Sequence, residues 1–397
     1  MATPTIDEAV TAQQALFNQA LNHQKALYDA TLKMFSRMFA VPKAVEWARE
    51  VAVGTTPHEV VYEEDSLRLL RYCRETPAKF AEPIVFTYAL VNRPYIVDLQ
   101  PQRSVVRQML AAGFDVYLID WGVPSAADRS MRLKDYIDGI MRNCAGVVLK
   151  DVNRPQIEYC TGVVSTRPPV DKINLVGYCM GGTMSAIFAA RYPELVKTLT
   201  LMTAPLDFSV GHDQSLVQLW SDPNYFDVDA LIDVFGNAPA PLLQHSFALM
   251  KPVANYFTKY VAFFDKMDDE NFVENFFAME KWSNDNIPVA GETFREFVKC
   301  FYQRNELIQG KYRMAVGEPP VDLKTITCPL MLLMASADHL VPPVQSEGVL
   351  PYVGSTDVKS MTLDAGHIGL AVSTKAHKKF WPEAMKWIGE RSTPSGS

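Results

Sequence analysis

Apolar residues in the first part of the chain recur at roughly helical spacing, and Pro42 interrupts the pattern. They are Ala15, Leu16, Phe17, Ala20, Leu21, Ala26, Leu27, Leu32, Phe35 and Phe39. Polar residues such as Gln13, Asn22 and Gln24 lie between them. The pattern therefore predicts an amphipathic helical segment over residues 1–57, whose apolar face must cover another surface.

From about residue 58 the pattern changes to short apolar strands that alternate with helices. Buried strands are predicted at Pro83–Tyr88, Phe114–Asp120, Leu195–Thr203, Pro329–Ala335 and Val358–Leu363. Strands that alternate with helices predict an α/β fold around a mostly parallel sheet that is covered on both faces. We therefore assign residues 58–204 and 323–391 to one α/β core.

Between these two parts, from 205 to 322, the alternation stops and the chain becomes helical in tendency. This stretch carries twenty of the 43 aromatic residues. An insertion between two strands of one sheet is typical of a cap domain that lies over an active site. The alternative for any one of these aromatic residues is that it only fills the core of the cap. Residues 392–397 are small and polar, and they predict a disordered tail.

Composition and charge exclude several classes of function. The 397 residues carry a net charge of −7, which speaks against a broad nucleic-acid surface. The chain has no signal-peptide pattern and no apolar run of about 18 residues that would span a membrane. The histidines lack metal-ligand spacing and no glycine-rich nucleotide loop occurs, so neither a metal nor a nucleotide cofactor is expected.

The six cysteines are scattered along the chain and include no C-x-x-C pair. They are Cys73, Cys144, Cys160, Cys179, Cys300 and Cys328. Such spacing predicts reduced thiols in a cytosolic protein, most of them small buried apolar side chains.

The run Gly177-Tyr178-Cys179-Met180-Gly181-Gly182 carries the clearest chemical signal in the chain. A predicted strand precedes it, and a predicted helix follows it and ends at Tyr192-Pro193. Such a strand-to-helix turn is a nucleophile elbow in which cysteine replaces the usual serine. The turn leaves little room, which explains the glycines two residues before and two after Cys179. The sulfur is expected at the carboxyl end of the sheet, beside a helix N-terminus that favours the thiolate.

A cysteine nucleophile needs a base, and the base needs an acid that orients it. In α/β-hydrolases the acid and then the histidine follow the nucleophile, each on a loop after a later strand. Asp338 and His367 occupy these two positions and are the predicted acid and base. His339 is the rival base, and Asp364 is the rival acid. The structural alternatives are a turn aspartate and a loop histidine without a catalytic role.

An oxyanion hole is predicted from two backbone N–H groups. One belongs to Met180, and the other comes from the loop Tyr88–Tyr95, with Val91 as the candidate. Arg93 in this loop could pair with a carboxylate or help to fix the loop, and both alternatives stay open.

With these residues in hand, the chain resembles the polyhydroxyalkanoate synthases, and it is most similar to the catalytic subunit of the two-subunit classes III and IV. The resemblance covers roughly residues 55–390. Its motifs are Tyr88–Tyr95, Asp115–Gly122, Gly177–Gly182, Lys281-Trp282, Gly291–Arg295, Phe301–Gln303, Asp338–Pro343 and Gly366–Gly369. On this resemblance Cys179, Asp338 and His367 form the catalytic triad of an α/β-hydrolase fold.

The resemblance implies an acyltransferase that grows a polyester from 3-hydroxyacyl-coenzyme A through a thioester on Cys179. It further implies a second synthase subunit, a homodimer joined through the caps, and a cytoplasmic location on polyester granules. Residues 1–57 would then pack on the core, dock the second subunit or contact the granule. The alternative functions are a cysteine hydrolase of the same fold, such as an esterase, thioesterase or polyester depolymerase, and a non-catalytic granule-coat protein.

Overall fold

A computed structural model of the chain describes Lys25 and residues 50–211, 220–250 and 258–395. The amphipathic segment predicted over residues 1–57 lies almost entirely outside these residues. None of the helices in the described part of the chain is long and apolar enough to cross a membrane.

The chain divides into two compact units, one of residues 1–51 with 253–280 and one of 52–252 with 281–397. The predicted limits of the core and the cap do not coincide with these units. The reason is that both flanking parts of the predicted cap, 205–252 and 281–322, belong to the same unit as the sheet.

The described residues form twelve β-strands, eight of which make one large sheet. Their bounds are β1 (His58–Glu64), β2 (Leu67–Tyr72), β3 (Ile84–Thr87), β4 (Asp98–Gln100), β5 (Arg103–Ser104), β6 (Val116–Asp120), β7 (Ile157–Glu158), β8 (Val164–Ser165), β9 (Ile173–Tyr178), β10 (Val196–Met202), β11 (Leu330–Ala335) and β12 (Val358–Leu363). The large sheet has the order β1-β2-β6-β3-β9-β10-β11-β12. Two short hairpins, β4–β5 and β7–β8, lie outside it.

The large sheet is parallel from β6 to β12, and it is antiparallel only where β1 and β2 extend it. Every residue of β3, β6 and β9 is buried, as expected of central parallel strands. The register places Tyr178 beside Met202 and Met202 beside Leu333, so β9, β10 and β11 end along one edge. The five strands with bounds predicted from the sequence are all present and differ from the prediction by at most two residues at either end, and β9 is the strand predicted before the elbow.

Eleven α-helices occur in the described residues. They are α1 (Val105–Ala112), α2 (Arg142–Val152), α3 (Met180–Arg191), α4 (Val228–Phe235), α5 (Ala240–Leu249), α6 (Lys259–Lys266), α7 (Glu270–Asn284), α8 (Gly291–Glu296), α9 (Pro343–Glu347), α10 (Gly369–Val372) and α11 (Trp381–Gly389). Segments with π-helical hydrogen bonding are Asp135–Met141, Phe297–Gln303 and Ala376–Phe380. Short 3₁₀ turns are Pro94–Val97, Ala126–Ser130, Pro193–Leu195, Leu323–Thr325 and Leu350–Tyr352.

The described part of the insertion between β10 and β11 consists of helices joined by turns and loops. Helices α4 to α8 belong to it. In the unit that contains residues 253–280, α6 and the first part of α7 share an aromatic core. Its buried centre is formed by Phe263, Met267 and Val273, and the rings packed against them are Phe272, Phe276 and Phe277. For these aromatic residues the structure therefore supports the alternative that they fill the core of a helical segment.

The last described residues do not form a disordered tail. The backbone N–H and the hydroxyl of Thr393 donate to the Glu82 carboxylate at 2.6 and 2.8 Å. Its carbonyl accepts from Ala81 at 2.8 Å, and the N–H of Ser395 donates to the carbonyl of Lys79 at 2.9 Å. The prediction of disorder over 392–397 is wrong for 392–395, because these polar groups pair with the buried Glu82 and the neighbouring backbone.

Cys73 and Cys160 form a disulfide that links the residue after β2 to the turn of the β7–β8 hairpin. The prediction of reduced thiols is wrong for this pair. The two residues are 87 positions apart in sequence, yet their Cα atoms are 5.7 Å apart. The sequence could not predict this disulfide, because the packing of the β7–β8 hairpin brings the two cysteines together. The remaining cysteines are free.

Removal of residues 392–397 is expected to lower the free energy of unfolding by about 2–4 kcal/mol, because it leaves the buried Glu82 without these donors. Lys197, at 3.3 Å, would remain as the ion-pair partner. Urea unfolding of the full and the truncated chain at pH 7 measures the difference. A control chain that lacks only residues 396 and 397 keeps these contacts and should unfold like the full chain. Equal stability of the 392–397 deletion and the full chain would contradict the structural role of this segment.

Candidate active site

Cys179 lies between β9 and α3 with φ 55° and ψ −127°, a conformation that L-residues rarely adopt. Its backbone N–H donates to the carbonyl of Met202 at the end of β10, 2.9 Å away. Its carbonyl accepts from the N–H of Gly182 at 2.8 Å. The side chain is partly buried and the thiol is free. The sharp turn expected from the sequence is therefore present, with Cys179 at its apex.

Two glycines let this turn form, because a side chain at either position would meet backbone atoms. A Cβ atom on Gly177 would lie 2.6 Å from the Cα atom of Gly182. A Cβ atom on Gly181 would lie 2.4 Å from the carbonyl oxygen of Thr87. Real Cβ atoms do not approach backbone this closely, which confirms that the turn requires glycine. The reason is that α3 begins in direct contact with the end of β3.

Asp338 and His367 meet on the loops that follow β11 and β12. The Nδ1 atom of His367 is 2.7 Å from one carboxylate oxygen of Asp338. The other carboxylate oxygen accepts the backbone N–H groups of Leu340 and Val341 at 2.8 and 2.9 Å. The Asp338 side chain is fully buried, and that of His367 is 11% exposed. The carboxylate is thus held by its own loop and directed at the imidazole.

Burial lowers the pKa of His367, but the negative charges of Asp338 and Cys179 outweigh burial and raise this pKa to about 10. The imidazole also stacks on the ring of Tyr178, with 5.3 Å between ring centroids. The Tyr178 hydroxyl donates to the carbonyl of His367 at 3.0 Å. Tyr178 directly precedes Cys179, so the histidine loop is fastened to the elbow. The raised pKa favours the protonated form of the His367 imidazole.

The rivals for acid and base lie in different surroundings. The Asp364 side chain is 84% exposed, and its nearest cation is Lys375 at 3.6 Å. Both oxygens of Asp338 already have partners, and no hydrogen bond joins His339 to them among the described residues. The geometry therefore brings together Asp338 and His367 and leaves both rivals apart.

The predicted oxyanion donors lie at the start of α3 and in the loop after β3. Met180 is the first residue of α3, so its backbone N–H is one of the groups that have no acceptor within the helix. Val91 lies four residues beyond the end of β3. The Nε1 atom of Trp121 donates to the carbonyl of Tyr88 in this loop at 2.9 Å.

Arg93 fulfils both roles that the sequence left open. Its Nε atom is 3.5 Å from the carboxylate of Asp285, and its carbonyl accepts the Nε1–H of Trp282 at 2.9 Å. The hydroxyl of Tyr95 donates to the same carboxylate at 3.1 Å. Residues of the insertion therefore hold the far end of the loop that contains Val91.

Two buried phenols near the sulfur were not predicted from the sequence. Tyr88 and Tyr302 are 4% and 7% exposed. Burial raises the pKa of both, and the charge of Cys179 raises both further. The ring of Tyr302 packs against Phe208 at 4.8 Å and Trp220 at 5.2 Å between centroids. Both tyrosines stand in motifs of the family resemblance, but no spacing along the chain connects them with Cys179.

One group of acid and sulfur side chains in the described residues is close enough together to hold a metal ion. It consists of Glu59, Cys73 and Cys160. The two sulfurs are joined in the disulfide, and Glu59 pairs with Arg71. A disulfide sulfur carries no thiolate charge to offer a metal ion. This group does not fit a metal site.

The chain matches two known family models. Residues 82–372 match the alpha/beta hydrolase fold, and residues 23–109 match the N-terminus of poly-beta-hydroxybutyrate polymerase (PhaC). The first match covers more than half of the chain. The class of protein that the sheet and the elbow define is therefore the α/β-hydrolase fold.

Curated relatives define the family within this class. The poly(3-hydroxyalkanoate) polymerase subunit PhaC of Haloferax mediterranei is 42% identical over 94% of this chain and 72% of its own length. That of Haloarcula marismortui is 42% identical over 96% and 77%. That of Allochromatium vinosum is 40% identical over 87% and 91%. The chain belongs to the poly(3-hydroxyalkanoate) polymerases, a family of acyltransferases, which confirms the resemblance found in its motifs.

His367→Ala is expected to slow the release of coenzyme A from 3-hydroxybutyryl-coenzyme A by about 10²–10⁴-fold, the usual contribution of a general base. The matched variant His339→Ala should keep most of the activity, because no hydrogen bond joins His339 to the Asp338 carboxylate in the part of the chain that the structure describes. A thiol-trapping assay with both variants at equal concentration measures the difference. A larger loss in His339→Ala than in His367→Ala would reverse the two assignments.

Proposed function

We propose that this polymerase transfers 3-hydroxyacyl groups from 3-hydroxyacyl-coenzyme A to a growing polyester through a thioester on Cys179. The observation that carries the proposal is the strained elbow of Cys179 beside the hydrogen-bonded pair of His367 and Asp338. A thiolate next to a protonated imidazole is the reactive form of a cysteine nucleophile.

In the first half-reaction His367 takes the proton of the Cys179 thiol, and the sulfur attacks the carbonyl carbon of the acyl-coenzyme A. The new carbon–sulfur bond forms, the bond to coenzyme A breaks, and the departing sulfur receives the proton from His367. The exchange of one thioester for another is nearly balanced in energy. It needs no cofactor besides the substrate.

In the second half-reaction the hydroxyl group of the next 3-hydroxyacyl unit attacks the thioester, and His367 takes the proton of this hydroxyl. An oxygen ester forms and the carbon–sulfur bond breaks, which runs downhill and extends the polyester by one unit. Asp338 keeps the imidazole in the required tautomer, a role supported by its 2.7 Å contact with Nδ1. Both Asp338 oxygens have partners, which favours this role over direct action on the substrate hydroxyl.

The backbone N–H groups of Met180 and Val91 stabilise the oxyanion that forms in each half-reaction. Support comes from the position of Met180 at the start of α3 and from the contacts that fix both ends of the Val91 loop. The buried aromatic rings around Tyr302 keep water away from the acyl-enzyme, which would otherwise hydrolyse.

Coenzyme A must approach Cys179 by a route other than the acidic cavity beside Leu90 and Trp121. That cavity has a volume of about 400 Å³, and Cys179 does not line it. One lysine and five carboxylates line it, namely Lys134, Glu64, Asp65, Asp128, Asp135 and Asp138. A ligand with several phosphate charges would be repelled there.

The proposal includes a second synthase subunit of the class III or class IV kind, a homodimer and a cytoplasmic location on polyester granules. A dimer joined through the insertion is supported by apolar side chains that are exposed on α4 and α5. Val234 is 75% exposed, Phe235 is 61% exposed, and Leu249 is 63% exposed. Val234 and Phe235 are neighbours in sequence, and grouped exposed apolar side chains are typical of protein interaction sites.

Cys179→Ala is expected to abolish coenzyme A release and polymer formation, because no acyl-enzyme can form without the sulfur. Incubation with 3-hydroxybutyryl-coenzyme A, with and without candidate partner subunits, measures free thiol and polymer together. Cys144→Ala and Cys300→Ala are the matched controls and should retain activity. Polymer made by Cys179→Ala would refute the proposal, and release of free 3-hydroxybutyrate by the unaltered chain would identify a hydrolase instead.

Deletion of residues 1–40 is expected to leave a folded catalytic unit whose activity the second subunit no longer raises. The reason is that the amphipathic pattern of this segment is typical of a helix that docks a partner. Activity with increasing amounts of the partner measures the response, and alkylation of Cys179 checks that the site is intact. A truncated chain that responds normally would assign the segment to the fold or to granule contact.

A further inference from the structure

Thr203 has a backbone conformation that β-branched residues rarely adopt, with φ 40°. It directly follows β10, as Cys179 directly follows β9, and Tyr178 pairs with Met202 in the parallel register. Neighbouring strands lie about 4.8 Å apart, so Thr203 and Cys179 stand side by side at the end of the sheet. Both residues have positive φ angles.

The conformation of Thr203 is fixed by hydrogen bonds on both sides of it. Its N–H donates to the carbonyl of Leu333 in β11 at 2.7 Å, and the preceding carbonyl accepts from Cys179. The hydroxyl of Ser346 donates to the carbonyl of Ala204 at 2.7 Å. A strained backbone conformation persists only where several surrounding contacts hold it in place. Such conformations are concentrated at functional sites.

The hydroxyl of Thr203 is the second unusual feature of this residue. Thr203 is 1% exposed, and its Oγ1 atom has no hydrogen-bond partner among the described residues. A buried hydroxyl without a partner costs stability, and valine would fill the same volume without that cost. The hydroxyl thus has a hydrogen bond to offer to a neighbouring group that becomes charged during the reaction.

We propose that the Thr203 hydroxyl donates a hydrogen bond to the Cys179 sulfur when that sulfur is an anion. The proton of the thiol is then on His367, and no bond of Thr203 breaks. Thr203 is a catalytic residue in this proposal, which rests on Cys179 being the nucleophile.

Other titratable groups also act on this sulfur, so the test must separate the contribution of Thr203. His367 faces it from the loop after β12, with Asp338 behind the imidazole. The phenols of Tyr88 and Tyr302 face it from the loop after β3 and from the insertion. The test therefore changes Thr203 alone and leaves all of these groups in place.

The experiment compares Thr203→Val with Thr203→Ser in the full-length protein. Iodoacetamide alkylation of Cys179 is followed by peptide mass spectrometry between pH 5 and pH 9. The midpoint of the pH–rate profile in Thr203→Val is expected about one pH unit higher, a tenfold change in the proportion of thiolate. Thr203→Ser keeps the hydroxyl and should restore the profile of the unaltered protein.

Urea unfolding serves as the control for a purely structural role. Thr203→Val should unfold at the same or a higher urea concentration, because it lacks the unpartnered hydroxyl. Thr203→Ala also removes the hydroxyl and takes the place of Thr203→Val should valine not fit. Unchanged profiles in both variants, with Cys179 reactive in the unaltered protein, would overturn the role of Thr203. An unreactive Cys179 in the unaltered protein would instead overturn its assignment as the nucleophile.

Discussion

Helix α3 begins in direct contact with the ends of β3 and β10, and the position of the Cys179 sulfur depends on this contact. A Cβ atom on Gly181 would meet the backbone of Thr87, and one on Gly182 would lie 2.4 Å from the Cβ atom of Ala204. Any larger residue at these positions would push the helix away from the sheet. Cys179 must therefore take its strained conformation, which the hydrogen bond to Met202 holds in place.

The parallel sheet then brings the remaining chemistry to the same edge. Cys179 follows β9, Asp338 follows β11 and His367 follows β12, and parallel strands end on one side of a sheet. His367 must extend across the ends of β11 and β10 to approach Cys179. Thr203 occupies the end of β10, which lies between them in the strand order, so its hydroxyl, which has no hydrogen-bond partner among the described residues, lies in the same part of the sheet edge.

The insertion contributes to the same site through the loop after β3. Trp282 and Asp285 hold Arg93 in this loop, while Trp121 of the core holds Tyr88. A change in the insertion would thus alter the loop that carries the proposed oxyanion donor Val91. Acyl transfer to a growing polyester requires an acyl-enzyme that survives until the next unit arrives. Contacts that join the loop, the insertion and the core suit this requirement.

Local sequence patterns were sufficient to predict the strands, the elbow at Cys179 and the loops that carry Asp338 and His367. Strand periodicity, glycine at a sharp turn and the order of elements can all be read from residues that are near one another in the chain. The 2.7 Å contact between Asp338 and His367, the raised pKa of His367 and the role of Arg93 were decided only when distant strands came together. The same holds for the buried phenols, the Cys73–Cys160 disulfide and the ordered residues 392–395. The strain at Thr203 also has no local signal, since a threonine at the end of a strand is ordinary until neighbouring strands fix its φ angle. Each of these features depends on distances between residues far apart in the chain, which no periodicity encodes.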